Sequence, residues 1–136
     1  FARPGNRFWP VLHQAGFTDR QLAPAEERTL LQHGLGITNL VARTTAAADE
    51  LTKDELAEGY ETLRRKVRKY EPGVVAVLGV GAYRTAFGKP KAAIGPQLES
   101  LETAAVWVLP NPSGLNAHYQ LGDLAHVFRM LRSAAS

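Results

Sequence analysis

Asn111-Pro112-Ser113-Gly114-Leu115-Asn116 is the stretch in which residue types and their order most suggest chemistry. It follows the apolar run Ala104-Ala105-Val106-Trp107-Val108-Leu109-Pro110, which predicts a buried strand ending abruptly in a polar, Gly-containing loop. In an open α/β sheet, ligands bind outside the carboxyl ends of strands. An amide side chain at such a tip can read a polar ligand edge. A Leu at the loop apex is solvent-averse unless it inserts somewhere. Together they suit a protein that extrudes a nucleobase and fills the gap with an apolar wedge. The same six residues also suit an ordinary strand-to-helix turn.

A second candidate follows another expected strand tip. Thr44-Thr45-Ala46-Ala47-Ala48-Asp49-Glu50 places small residues and then a carboxylate where Asp49 could face a ligand crevice. Its position equally fits an acid that precedes a helix, close to the cap at Thr52. Other constellations carry less. Gly79-x-Gly81 lies between a strand and a helix, but Arg84 stands where a dinucleotide fingerprint needs its third glycine. A tight strand-to-helix turn is the expectation there. His13, His33, His118 and His126 are scattered, without an acid or second His at ligand spacing, so no metal site is expected. Ser113 is not in a G-x-S-x-G elbow.

These residues need elements to hold them. Asn6 to Gly16 carries Phe8, Trp9, Val11 and Leu12, a short helix-like cluster that stops at Gly16. Pro24 and the acids after it predict a helix closing near Gly34, and Gly36 to Val41 a short strand. Thr52-Lys53-Asp54-Glu55 has the form of a capping box. The helix it opens presents Leu56, Tyr60, Leu63, Val67 and Tyr70 on one apolar face. Arg64, Arg65, Lys66, Arg68 and Lys69 fill its last turns, suiting the negative end of the helix dipole, and Pro72-Gly73 ends it.

Val74 to Leu78 reads as a continuously buried strand, followed by a short helix through Phe87. A loop from Lys89 to Gly95 and a short strand from Gln97 to Leu101 come next. Leu121, Leu124, Phe128 and Leu131 mark a last helix. Helices alternating with continuous apolar strands predict an α/β fold with a mainly parallel, helix-covered sheet.

Composition narrows the class. The 136 residues are 45% hydrophobic and 21% charged, enough for one compact domain, and no apolar run approaches a membrane span. Cys is absent, which excludes disulfide and thiolate chemistry within this chain. A net charge of +3 and a pI near 9.5 allow a few phosphate contacts but do not make a polybasic arm. There is no signal-peptide pattern, and a cytoplasmic location is expected. The first residue is Phe1, not Met, so the natural product is expected to extend further toward its N-terminus.

Taken in order, several segments resemble the mismatch-specific uracil-DNA glycosylases, relatives of thymine-DNA glycosylase in the uracil-DNA glycosylase superfamily. They are Phe1 to Trp9, Gln14 to Asp19, Gly36 to Thr45, and Leu109 to Leu115, spread through essentially the whole chain. The resemblance implies a three-layer α/β/α single domain over residues 1–136. It implies a monofunctional enzyme that flips uracil, preferentially from G:U mismatches in double-stranded DNA, and hydrolyses its N-glycosidic bond. No metal or organic cofactor is implied. The partners are damaged duplex DNA and downstream repair enzymes, with no membrane, and a monomer is expected.

By the same resemblance Phe1 stacks on the flipped base, and Asn39 and Asn111 line the base pocket. Gly114, Leu115 and Asn116 form the wedge against the widowed guanine. Thr38, Ser113 and His118 are candidates for the DNA backbone. Asn6, Arg7, Phe8 and Trp9 resemble the packing that fixes the base-stacking loop. The family's Gly-x-Asn-Pro-Gly motif, whose Asn positions the attacking water, is not in this chain, so the domain is expected to lack its N-terminal strand and first active-site motif. Asp49 therefore becomes the candidate for activating water or stabilising the developing sugar cation. Ala117 stands where a close relative carries a basic residue, which predicts weaker contacts to the widowed strand. Two rival readings remain: a catalytically silent DNA- or base-binding module on this fold, and a small-molecule nucleotide-binding domain unrelated to DNA.

Overall fold

The computed structural model describes residues 6–38, 53–112 and 119–135. They fall into two compact units, one formed by Phe1–Thr38 with Asn111–Ser136 and the other by Asn39–Pro110.

The second unit holds the sheet. Helix α2 (Lys53–Tyr70) leads into strand β1 (Val74–Leu78), helix α3 (Val80–Ala86), strand β2 (Gly95–Pro96) and strand β3 (Ala105–Leu109). The strand order is β1-β3-β2. β1 runs parallel to β3 in the register Val74↔Ala105 to Leu78↔Leu109, and the two residues of β2 run antiparallel to it. The expected α/β class with a small, mostly parallel sheet is what the chain adopts.

β3 is the central strand and is buried on both faces. Val106 and Val108 join a core with Val67, Val77, Tyr83, Leu101 and Ala104, while Trp107 and Leu109, on the opposite face, are buried as well. Tyr60, Leu63 and Phe87 pack at the edge of that core, with the Tyr60 and Phe87 rings edge to face at 4.7 Å.

The β1-to-α3 connection is the tight turn the sequence predicts at Gly79. Its φ of +114° is a backbone conformation that side-chain-bearing residues rarely adopt. Its N–H donates to the Leu109 carbonyl at 2.8 Å, extending the parallel ladder past the strand end.

In the first unit, α1 (Phe8–Gln14) is the predicted apolar cluster, with Phe8, Trp9, Val11 and Leu12 buried and Gly16 in a left-handed turn just beyond it. It packs against α4 (Leu121–Ala135), whose Leu124, Phe128 and Leu131 are buried at the spacing read from the sequence. Between them in sequence lies a short helix, Pro24–His33, closed by Gly34 with φ +74°.

Several local expectations need correction. The Pro24–His33 helix is 3-10 rather than α, with a kink at Glu26, where the carboxylate turns back to accept the Ala23 N–H at 2.9 Å. Residues 36–38 form no strand, and the rest of that predicted strand lies outside the described residues. Only Val77 of β1 is fully buried, because β1 is an edge of the described sheet. The antiparallel strand is Gly95–Pro96, and Gln97–Leu101 bends away after one further bond, Gln97 N–H to Val106 O. Tyr70 leaves the apolar face of α2: it is 71% exposed, at the point where Glu71 turns the chain with φ +50°, and the Lys69 ammonium lies over its ring.

Candidate functional site

Of the residues singled out for function, Asn111 and Thr38 fall among those described. Phe1, Asn39, Asp49, Ser113, Gly114, Leu115, Asn116 and His118 lie outside them, as does Thr52, the N-cap expected from the sequence. Thr38 is exposed. Asn111 follows the last residue of β3 by two positions and is half-buried, and Pro112 after it is fully buried. The strand tip that the apolar run predicted is therefore where the sequence put it.

The placement of Asn111 is tied to α1. The Arg7 backbone N–H donates to the Pro112 carbonyl at 2.8 Å, and the Arg7 Nε donates to the same oxygen at 3.4 Å. Its Nη1 donates to the Tyr119 carbonyl. Arg7 is itself held: its carbonyl accepts the Val11 N–H at 2.9 Å, and the Asn6 Oδ1 accepts the Phe8 N–H at 2.9 Å, fixing the start of α1. On the far side, the Asp123 carboxylate accepts the Gln120 N–H at 3.0 Å and sets the first turn of α4. The peptide after Asn111 thus sits in a frame of backbone and guanidinium hydrogen bonds.

Sequence reasoning assigned Arg7 to packing around the base-stacking loop and missed this tie. Its partners are 105 and 112 residues away, so no local pattern signals it.

Among the described residues the remaining titratable groups give no rival centre. His33 is engaged with the Thr29 carbonyl through Nδ1 and lies 3.6 Å from Asp19 through Nε2, and His126 is exposed. Among the described residues no group of three or more His, Cys, Asp or Glu gathers to hold a metal, and no helix is long and apolar enough to cross a membrane. Burial, with a smaller push from Glu99, raises the Tyr83 phenol, and that ring stacks on Phe87 in the core. An open groove of about 550 Å³ is lined by Lys53, Asp54, Ala57, Arg84, Thr85 and Pro90, and neither Asn111 nor Thr38 lines it.

The family model of the Uracil DNA glycosylase superfamily matches residues 1–134. The chain belongs to that superfamily, whose members are typically DNA glycosylases, hydrolases that act on DNA in base-excision repair.

Proposed function

We propose that this chain is the mismatch-specific, thymine-DNA glycosylase-like kind of uracil-DNA glycosylase. In this reading it is a monofunctional enzyme that removes uracil from G:U mismatches as one domain spanning residues 1–136. The observation that carries the reading is the half-buried Asn111 just beyond the end of β3.

An Asn amide offers one acceptor oxygen and two N–H donors. Uracil presents the complementary set, an N3–H donor between two carbonyl acceptors, once it is turned out of the helix. Hydrogen bonds to that edge strengthen as negative charge collects on the departing base, so the amide stabilises the transition state more than the bound substrate. Water then takes the place of the base on the sugar, leaving free uracil and an abasic site. Asp49 is the carboxylate assigned to that water or to the developing sugar cation. Phe1 and Asn39 complete the base pocket, and Thr38, Ser113 and His118 hold the backbone.

Mismatch preference follows from the cost of flipping. Extrusion takes a few kcal/mol, least where the base is already mispaired, so G:U opens more readily than A:U. Stacking on Phe1 returns about 1–3 kcal/mol. Leu115, flanked by Gly114 and Asn116, refills the stack opposite guanine.

Single-turnover cleavage of G:U, A:U, G:T and single-stranded uracil oligonucleotides by the full-length protein, scored as alkali-labile abasic sites, tests the proposal. The expected order places G:U first. Retained DNA binding with no abasic product on any substrate would replace the enzyme with a silent binding module.

A further inference from the structure

We infer that Arg7 is a positioning residue for catalysis, acting through Asn111; this rests on the base-reading role proposed for that amide. Three observations carry it. First, the Arg7 main-chain N–H and Nε both point at one oxygen, the Pro112 carbonyl, which closes the residue immediately after Asn111. Second, the same guanidinium reaches the Tyr119 carbonyl, so one planar fork bonds two carbonyls that lie on either side of residues 113–118 in the sequence. Third, Arg7 has little freedom of its own, because its carbonyl is bonded to the Val11 N–H and Asn6 fixes the first turn of α1.

A guanidinium is suited to this task. Its donors diverge at fixed angles in one plane, so two carbonyls can be held at a set separation by a single side chain. An ammonium is a point charge and cannot reproduce that spacing. The half-buried amide of Asn111 must meet the edge of a base within a few tenths of an ångström, and misplacing a catalytic group by about 1 Å can cost roughly a hundredfold. A tie one residue away along a backbone stiffened by buried Pro112 transmits position directly.

The test is a double-mutant cycle on the full-length protein with G:U duplex. Arg7→Met keeps length and apolar stem but removes the donors. It is expected to lower kcat about 10- to 100-fold with KM little changed, since substrate affinity comes mainly from contacts elsewhere. Arg7→Lys should recover only part of the loss. The decisive arm is Arg7→Met combined with Asn111→Ala, which should be no slower than Asn111→Ala alone, because a positioning residue has nothing left to position.

Multiplying losses in the double variant, or a wild-type rate for Arg7→Met, would overturn the assignment. Should Arg7→Met fail to fold, Arg7→Lys carries the same cycle with the same two readings. An active wild type with full activity in Asn111→Ala would remove the base-reading role of Asn111, and with it Arg7's route to catalysis. No abasic product from the wild type would instead defeat the glycosylase reading itself.

Discussion

Within Asn39–Pro110, sequence-distant elements are joined by a strand ladder, an apolar core and a carboxylate. Glu102, in the turn before β3, accepts from Arg64 at 3.2 Å and from Arg68 at 3.0 Å and so ties that turn to the last turns of α2. Among the described residues of the other unit, two arginines donate to distant main-chain carbonyls: Arg7 to Pro112 and Tyr119, and Arg129 to Gln14 at 3.3 Å. A carboxylate clamp is strong at low salt and is weakened by screening and by acid. A guanidinium–carbonyl tie is neutral on one side and is far less sensitive to either. In the unit that carries Asn111, these carbonyl ties persist across conditions. The sheet unit is braced by burial, with charge as a supplement.

The largest expected effects come from cutting the two cores. Leu124 of α4 and Leu109 of β3 are 0% and 1% exposed, one in each unit, and each truncation to Ala should cost about 2–5 kcal/mol. The two tryptophans provide separate probes, since Trp9 lies in α1 and Trp107 in β3. With Trp9→Phe and Trp107→Phe backgrounds, urea transitions followed by fluorescence report each unit in turn. If residues 1–136 form one domain, Leu124→Ala moves both transitions together, as small single domains usually behave. A shift in the Trp9 signal alone would divide the molecule thermodynamically as well as geometrically.

The same contrast explains what could be read from the sequence. α2 was legible because Leu56, Tyr60, Leu63 and Val67 repeat at helical spacing and Pro72-Gly73 stops them at its C-terminal end. β1, β3 and the Gly79 turn were legible because continuous apolar runs ending at glycine or proline have few other uses. Tyr70 was misread because periodicity continues past the point where Glu71 turns the chain. The two-residue β2 was misplaced because Gly95–Pro96 has no strand-forming side chains and is defined solely by its pairing with β3. For the site, Asn111 was visible through its position after β3, whereas Arg7 was not, since nothing local distinguishes an arginine that bonds a carbonyl over a hundred residues away. Apart from the exposed Thr38, the other residues assigned to the base pocket, wedge and DNA backbone lie outside the described segments.

A smaller effect is expected from Glu102→Gln. The Glu102 carboxyl is held below the usual range, first by its hydrogen bond from Arg68 and then by that from Arg64. Removing the charge leaves Arg64 with Glu61 at 3.2 Å and deprives Arg68 of this partner. The loss of stability should be well below either core truncation, since exposed pairs contribute little. It should shrink further in about 1 M salt, where screening acts within roughly 3 Å. Arg129→Met, which removes a carbonyl tie in the other unit, should show a salt-independent loss. Equal salt dependence in the two variants would erase the distinction between the units.

The smallest effect sharpens the comparison from the other side, because the unit braced by carbonyl ties also holds an exposed, short-range ion pair. Arg20 Nη2 lies 2.6 Å from Glu26, whose carboxyl is lowered to about 2, first by that hydrogen bond and then by the Ala23 N–H at the start of the 3-10 helix. A carboxyl whose folded value is depressed stabilises the fold at pH above its ordinary value of 4.5, and that contribution fades as pH falls toward 2. Comparing urea midpoints of wild type and Glu26→Gln isolates this group, since other acid-sensitive groups act equally on both. The gap should be largest near neutral pH, begin to close below pH 4.5 and be lost around pH 2. A gap that stayed constant through this range would mean that Glu26 acts by its shape in the turn and not by its charge. The electrostatic contrast between the units would then rest on the sheet unit's charges, Glu102 with its two arginines and Glu99 with Lys89 at 2.6 Å.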